Sequence, residues 1–200
     1  MTRALFIVDV QNDFTEGGAL GVEGGAVVAA GITRLLAASA AGDDFSYDVV
    51  IASRDWHDGD NDNGGHFATS SPPDFVDSWP VHCVAGTPGA NYHPGLDTSA
   101  VDVHVKKGMG EPSYSLFQGV SDGGETVLQV LDRLGVTDVD VVGLATDYCV
   151  RASALDALAA GRRVRVLSDL VAGVALESSV AALREVEAAG AVVVSSGLAG

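Results

Sequence analysis

The chain has 200 residues, 47% of them hydrophobic, enough for the core of one α/β domain and too few for two comfortable ones, so residues 1–200 are expected to fold as a single unit. A formal net charge of −16 and a pI near 4.3 argue against nucleic-acid and anionic-membrane partners, whose surfaces would repel the protein. No apolar stretch reaches transmembrane length, no charged segment followed by an apolar one opens the chain, and two cysteines, Cys83 and Cys149, cannot make a disulfide framework; a soluble cytoplasmic protein is expected.

Residues 4–10, Ala-Leu-Phe-Ile-Val-Asp-Val, read as a buried strand that carries one acid, Asp9, near its C-terminal end. A carboxylate inside such a run is costly unless it is paired or used. A glycine-rich polar loop over 11–18 leads to an alanine-rich helix over 25–41, with Val27, Val28, Ile32, Leu35 and Leu36 apolar. The second strand, 48–53, runs into Arg54-Asp-Trp-His57. From about 54 to 100 the chain is rich in Gly, Pro, Asp and Asn and has no period; loops this long in a compact domain usually carry function. A third strand over 101–107 ends at Lys107, a helix over 125–134 is closed by Gly135, and the β-branched apolar run 139–144 reads as a central strand. Val150, Ala154, Leu155 and Leu158 then predict a helix from Asp147 to Gly161 with Thr146 or Asp147 as N-cap. A strand over 163–167, a helix over 177–189 and a strand over 191–195 complete the alternation. Such a pattern demands a parallel sheet with helices on both faces.

Ligands in open parallel sheets bind beyond the C-terminal strand ends, and the chemically active side chains fall there. Asp9 ends the first strand, Asp55 and His57 follow the second, Lys107 ends the third, and Cys149 follows the fourth. Nine of the eleven basic residues are Arg, and the two lysines, Lys106 and Lys107, are adjacent, as if a compact ammonium were needed at that point. In the first helical turn Cys149 would meet free N–H groups and the helix dipole, which lower a thiol's pKa. Asp9 can act as its base and later as an acid, Lys107 can hold that carboxylate, and the N–H groups of Ala145 and Cys149 can receive an oxyanion. The competing readings are a small buried cysteine and a structural ion pair. Asp55, His57, His66 and His82 from the long loop make an N/O metal site of the zinc, manganese or iron type, although each histidine alone reads as a surface or capping residue. His93 and His104 lack such company, and Cys83 reads as buried and apolar. Phe14, Trp79 and Tyr114 lie in loops and can sandwich a flat ring, with ordinary packing as the alternative.

Taken together, Asp9-Val-Gln-Asn-Asp-Phe14, Arg54-Asp-Trp-His57, Trp79-Pro-Val-His82-Cys, Lys107-Gly and Gly143-Leu-Ala-Thr-Asp-Tyr-Cys-Val150 resemble the nicotinamidase (pyrazinamidase) branch of the isochorismatase-like cysteine hydrolases over nearly the whole chain. The resemblance implies a three-layer α/β/α sandwich on a six-stranded, mostly parallel sheet, with Asp9, Lys107 and Cys149 catalytic. It implies one divalent ion, zinc before manganese or iron, on Asp55, His57 and His82, with His66 as the extra histidine seen in some members. It also implies a cis peptide between Leu144 and Ala145. The expected reaction is hydrolysis of nicotinamide to nicotinate and ammonia through a cysteine thioester, with pyrazinamide as a surrogate. The segment Glu111-Pro-Ser113 departs from the family's usual spacing and leaves the wall around Tyr114 open. Two other readings remain: another small-amide or ureido hydrolase built on the same triad, and a non-catalytic metal-binding or thiol redox protein. The sequence leaves a homo-oligomer open.

Overall fold

The computed structural model describes residues 1–42 and 45–198, so residues 43–44 and 199–200 of the expected single unit lie outside the described residues. In chain order the elements are β1 (Thr2–Val8), α1 (Gly25–Ala41), β2 (Val49–Asp55), β3 (Val103–Lys107), β4 (Val120–Ser121), α2 (Val127–Leu134), β5 (Val136–Leu144), α3 (Arg151–Ala159), β6 (Arg163–Ala172), α4 (Leu176–Ala188) and β7 (Val192–Val194). The sheet runs β4-β3-β2-β1-β5-β6-β7, with β1 in the middle and β4 alone antiparallel.

Strand alternation builds the layers. Ala4, Phe6 and Val8 of β1 point to the face covered by α2, α3 and α4, where they meet Val130, Leu131, Ala154 and Val186. Leu5 and Ile7 point to the other face, against Val28, Ile32 and Leu35 of α1. All five of these β1 residues are fully buried, and each of the four larger than alanine contributes roughly 1.5–3 kcal/mol by leaving water. The α1 face has one helix where the opposite face has three. The long loop fills the difference, sending Cys83, Ala90 and Leu96 into the same apolar cluster. The loop is therefore part of the core layer, which fixes its ends against the sheet edge.

The three-layer α/β architecture is as expected, but the sheet has seven strands instead of six. The addition, β4, is a two-residue strand paired with Val105 and Lys106, too short for alternation to reveal it. The helix expected from Asp147 also differs. Thr146–Val150 forms a π-helical turn ahead of α3, and neither Thr146 nor Asp147 caps it through a side chain. Asp147 instead accepts the N–H groups of Val174 (3.0 Å) and Ala175 (3.2 Å) and the hydroxyl of Ser178, all at the start of α4. It satisfies the exposed donors of a helix that is distant in sequence, the work of an N-cap done from outside.

Gly143 in β5 has φ +114°, and a Cβ there would lie 2.1 Å from the Val8 carbonyl oxygen. Gly143→Ala should therefore cost about 3 kcal/mol or more. Gly124→Ala, at φ +81° with nothing within 4 Å of its Cβ, should cost about 1 kcal/mol. Denaturant titration of the two variants checks this; equal midpoints would refute the close approach of β1 and β5.

Candidate active site

The parallel strands deliver their C-terminal ends to one edge. Asp9 follows β1 directly, at φ +48°; Asp55 is the last residue of β2 and pairs in register with Lys107, the last of β3; Cys149 lies in the π turn after β5. Alternation separates the two lysines: Lys107 turns inward and is fully buried, whereas Lys106 turns outward to Asp122 (2.9 Å) and the Trp56 ring (5.0 Å).

Lys107 organises the interior. Its Nζ donates to Asp55 Oδ1, to the Ser113 carbonyl (3.2 Å) and toward Cys149 Sγ (3.7 Å). Asp9 Oδ2 is its ion-pair partner at 2.9 Å. The other Asp9 oxygen accepts from Ser53 Oγ at 2.8 Å. Asp9 is thus held through both oxygens, one by Lys107 and the other by Ser53. Burial works against the Lys107 ammonium, but Asp55 and Asp9 outweigh it and keep it charged. Burial also tends to raise the Asp55 carboxyl, and Lys107 with His57 and His82 reverses that and holds it well below the usual range. For Asp9, burial prevails over Lys107, and the pKa rises with help from Asp55.

The thiol corrects one expectation. Burial pushes Cys149 well above its ordinary pKa, against the pull of Lys107, and the neighbouring Asp9 and Asp55 carboxylates add to the rise. Desolvation outweighs the helix-terminus effect, so the resting group is a thiol. Its turn is nevertheless suited to receive an anion. The Ala145 carbonyl accepts from Tyr148 and Val150, each at 3.1 Å, passing over the Cys149 N–H, and the Leu144–Ala145 peptide is cis, as expected.

His57, His66 and His82 converge, with one nitrogen of each within 4.8 Å of the others, and Asp55 Oδ2 stands 3.6 Å from His57 Nε2 and 3.8 Å from His82 Nε2. His57 Nδ1 is bound to the Gly108 carbonyl and His82 Nδ1 to that of Pro80, both at 2.7 Å. These carbonyls take the ring N–H groups and leave each Nε2 lone pair facing the cluster. Gly108 has φ +75°, and a Cβ there would press into the His57 ring at 2.4 Å. His57 Nε2 and His66 Nδ1 are buried without partners. Burial lowers the His82 pKa and, with His57 and His82 nearby, takes His66 down to about 3, so both rings are neutral at pH 7. Neutral nitrogens, a carboxylate and two orphaned lone pairs fit a zinc-type ion.

A cavity of about 290 Å³ opens onto both groups, lined by Asp55, His66 and His82 on one side and by Ala145 and Cys149 on another. Phe14, Trp79 and Tyr114 all line it, and Trp79 Nε1 donates to the Tyr114 hydroxyl at 3.1 Å. Glu111-Pro-Ser113 therefore leads Tyr114 into the wall, where the family spacing had left the matter open. Cys83 is fully buried; its N–H donates to Asp13 at 2.7 Å and its thiol stays outside the histidine cluster. Sequence reasoning missed Tyr148, which stacks on Tyr114 at 6.1 Å and meets Trp79 edge-on at 5.0 Å, as well as Phe75 and Val174 of the cavity wall. It also missed Ser53 and Gln11. Gln11 clamps the end of β2 by accepting from Asp55 N (2.8 Å) and donating to the carbonyls of Asp55 (2.9 Å) and Ala90 (3.0 Å).

Comparison with known proteins agrees with this geometry. Residues 3–197 match the isochorismatase domain. The chain is 51% identical to the nicotinamidase/pyrazinamidase of Mycobacterium tuberculosis, over 94% of this chain and 95% of that protein. Among solved structures, it resembles the pyrazinamidase of Pyrococcus horikoshii in complex with zinc (TM-score 0.80, 35% identity, covering 98% of this chain and 99% of that one). It also resembles PnC1 from L. infantum in complex with nicotinate (TM-score 0.79, 34% identity, covering 98% and 94%). No helix among the described residues is long and apolar enough to cross a membrane.

If the converging nitrogens are ligands, the purified protein should bind about one zinc per chain, and His57→Ala and His82→Ala should each lower the content nearly to zero. Elemental analysis after dialysis reads this out, and full occupancy in both variants would rule the cluster out as a metal centre.

Proposed function

The chain belongs to the isochorismatase family, and on that footing we propose that it is an amidohydrolase of linear amides that splits nicotinamide into nicotinate and ammonia and accepts pyrazinamide as well. One observation carries the reading: the Cys149 thiol and the histidine cluster open into the same aromatic cavity. A flat ring can then present a ring nitrogen to one and a carboxamide to the other. The carbamoyl and ureido alternatives have no use for that histidine set, and a metal-binding or redox protein has no use for an acid and a lysine beside its thiol.

In the proposed cycle Phe14, Trp79 and Tyr114 hold the ring between them. Asp9, ion-paired with Lys107, takes the thiol proton as Cys149 Sγ attacks the carboxamide carbon. The N–H groups of Ala145 and Cys149 receive the oxyanion. As the C–N bond breaks, Asp9 passes its proton to the departing nitrogen, leaving a thioester on Cys149. Asp9 then draws a proton from water, whose oxygen replaces sulfur at the acyl carbon; nicotinate leaves and the thiol is restored. Lys107 stays charged throughout and steadies Asp9 in both forms.

Asp55, His57 and His82, with His66 beside them, would hold the divalent ion, and zinc is the choice that the donor set and the zinc complex of the P. horikoshii relative support. Bound there, the ion supplies a Lewis-acid contact for a ring nitrogen. We further propose that residues 1–200 act as one domain in the cytoplasm, where Cys83 and Cys149 stay reduced.

Cys149→Ala should abolish ammonia release from nicotinamide, and Asp9→Asn should slow it by about 10²- to 10⁴-fold. A coupled ammonia assay measures both, and an unchanged rate in the cysteine variant would overturn the mechanism.

A further inference from the structure

Ser113 sits in the segment between β3 and Tyr114, and its side chain takes no part in the charge network or the histidine cluster. Its side chain is almost wholly buried, 1% exposed, and lines the cavity with Cys149, Ala145 and His66. Its hydroxyl oxygen has no hydrogen-bond partner in the protein. Buried hydroxyls are rarely left so. Other orphaned atoms in this region are accounted for, since Asp9 Oδ2 is ion-paired with Lys107 and His57 Nε2 and His66 Nδ1 belong to the converging histidines. Ser113 is also rigidly placed. Its carbonyl takes a hydrogen of Lys107 at 3.2 Å, and the two following N–H groups, of Tyr114 and Ser115, are both tied to Gln118 Oε1, at 2.8 and 2.9 Å. Only the hydroxyl torsion is free.

We propose that the Ser113 hydroxyl accepts an N–H of the substrate carboxamide and so positions the leaving nitrogen, an inference that rests on the nicotinamidase reading. The chemistry requires such a group. The carboxamide oxygen is served by backbone donors at Ala145 and Cys149, but its nitrogen carries two hydrogens and needs an acceptor. The Tyr114 hydroxyl is already engaged by Trp79, and the remaining nearby wall is largely aromatic and aliphatic. Holding the nitrogen by one hydrogen turns its lone pair toward the proton that Asp9 delivers as the C–N bond breaks.

An ester separates this role from a structural one, because methyl nicotinate keeps the ring and carbonyl but has no N–H to offer. With zinc-loaded protein, Ser113→Ala should lower kcat/KM for nicotinamide about tenfold and leave that for methyl nicotinate within about twofold. The variant's melting temperature should equal or exceed the parent's, since the deleted hydroxyl had no partner to lose. Equal losses on amide and ester, no loss on the amide, or a melting temperature several degrees lower would each overturn the proposal. A parent enzyme that releases no ammonia from nicotinamide would sink the underlying reading; a working parent with an unselective variant sinks this inference alone.

Discussion

The site depends on one buried cation. Lys107 is fully buried between Asp9 and Asp55, and a charge in that position is stable only while its partners stay in place. With two carboxylates against one ammonium the cluster keeps an excess negative charge, and the structure resolves it unevenly. Asp55 receives a hydrogen from Lys107, faces two histidines and stays ionised; Asp9 is paired with the same ammonium, but burial prevails and its pKa is raised. The carboxylate held most firmly as an anion belongs with the metal position, and the one nearest protonation faces the thiol. A division of labour between two acids thus follows from what surrounds each of them.

Everything around this cation serves to hold it. The parallel register of β2 and β3 sets Asp55 opposite Lys107, Gln11 clamps the end of β2 from both sides, and Ser53 fixes the far oxygen of Asp9. The long loop brings His66 and His82 to the open side of Asp55 and is anchored in turn by the apolar residues it buries against the sheet. Removing Lys107 would leave two uncompensated carboxylates in the interior, so stability and chemistry are bound together at this position.

Much of this arrangement was legible in the sequence because it rests on local contrasts. An acid in an apolar run marked Asp9, the scarcity of lysine marked Lys107, and a histidine-rich aperiodic stretch marked the loop. The residues that escaped notice are ordinary where they stand. Ser53 lies within a strand, and Gln11 and Ser113 lie in polar loops; burial alone makes them significant, and burial depends on tertiary packing. Tyr148, next to the thiol, was the one omission that adjacency should have prevented. The π turn was beyond local reasoning, since Asp147 is drawn to Val174, Ala175 and Ser178. The direction of the thiol's pKa was misjudged for a related reason: a helix terminus can be read from sequence, while the desolvation that outweighs it cannot.

The central claim is that Cys149, with Asp9 as its proton partner and Lys107 beside it, forms a covalent acyl intermediate. The most direct test is mass spectrometry of protein quenched in acid during turnover of nicotinamide, followed by peptide mapping. A nicotinoyl group on the peptide containing Cys149, absent when that residue is alanine, is the result predicted. An acyl group on Cys83 instead would contradict the account, as would sustained ammonia release with no acylated protein under conditions where thioester hydrolysis limits the rate.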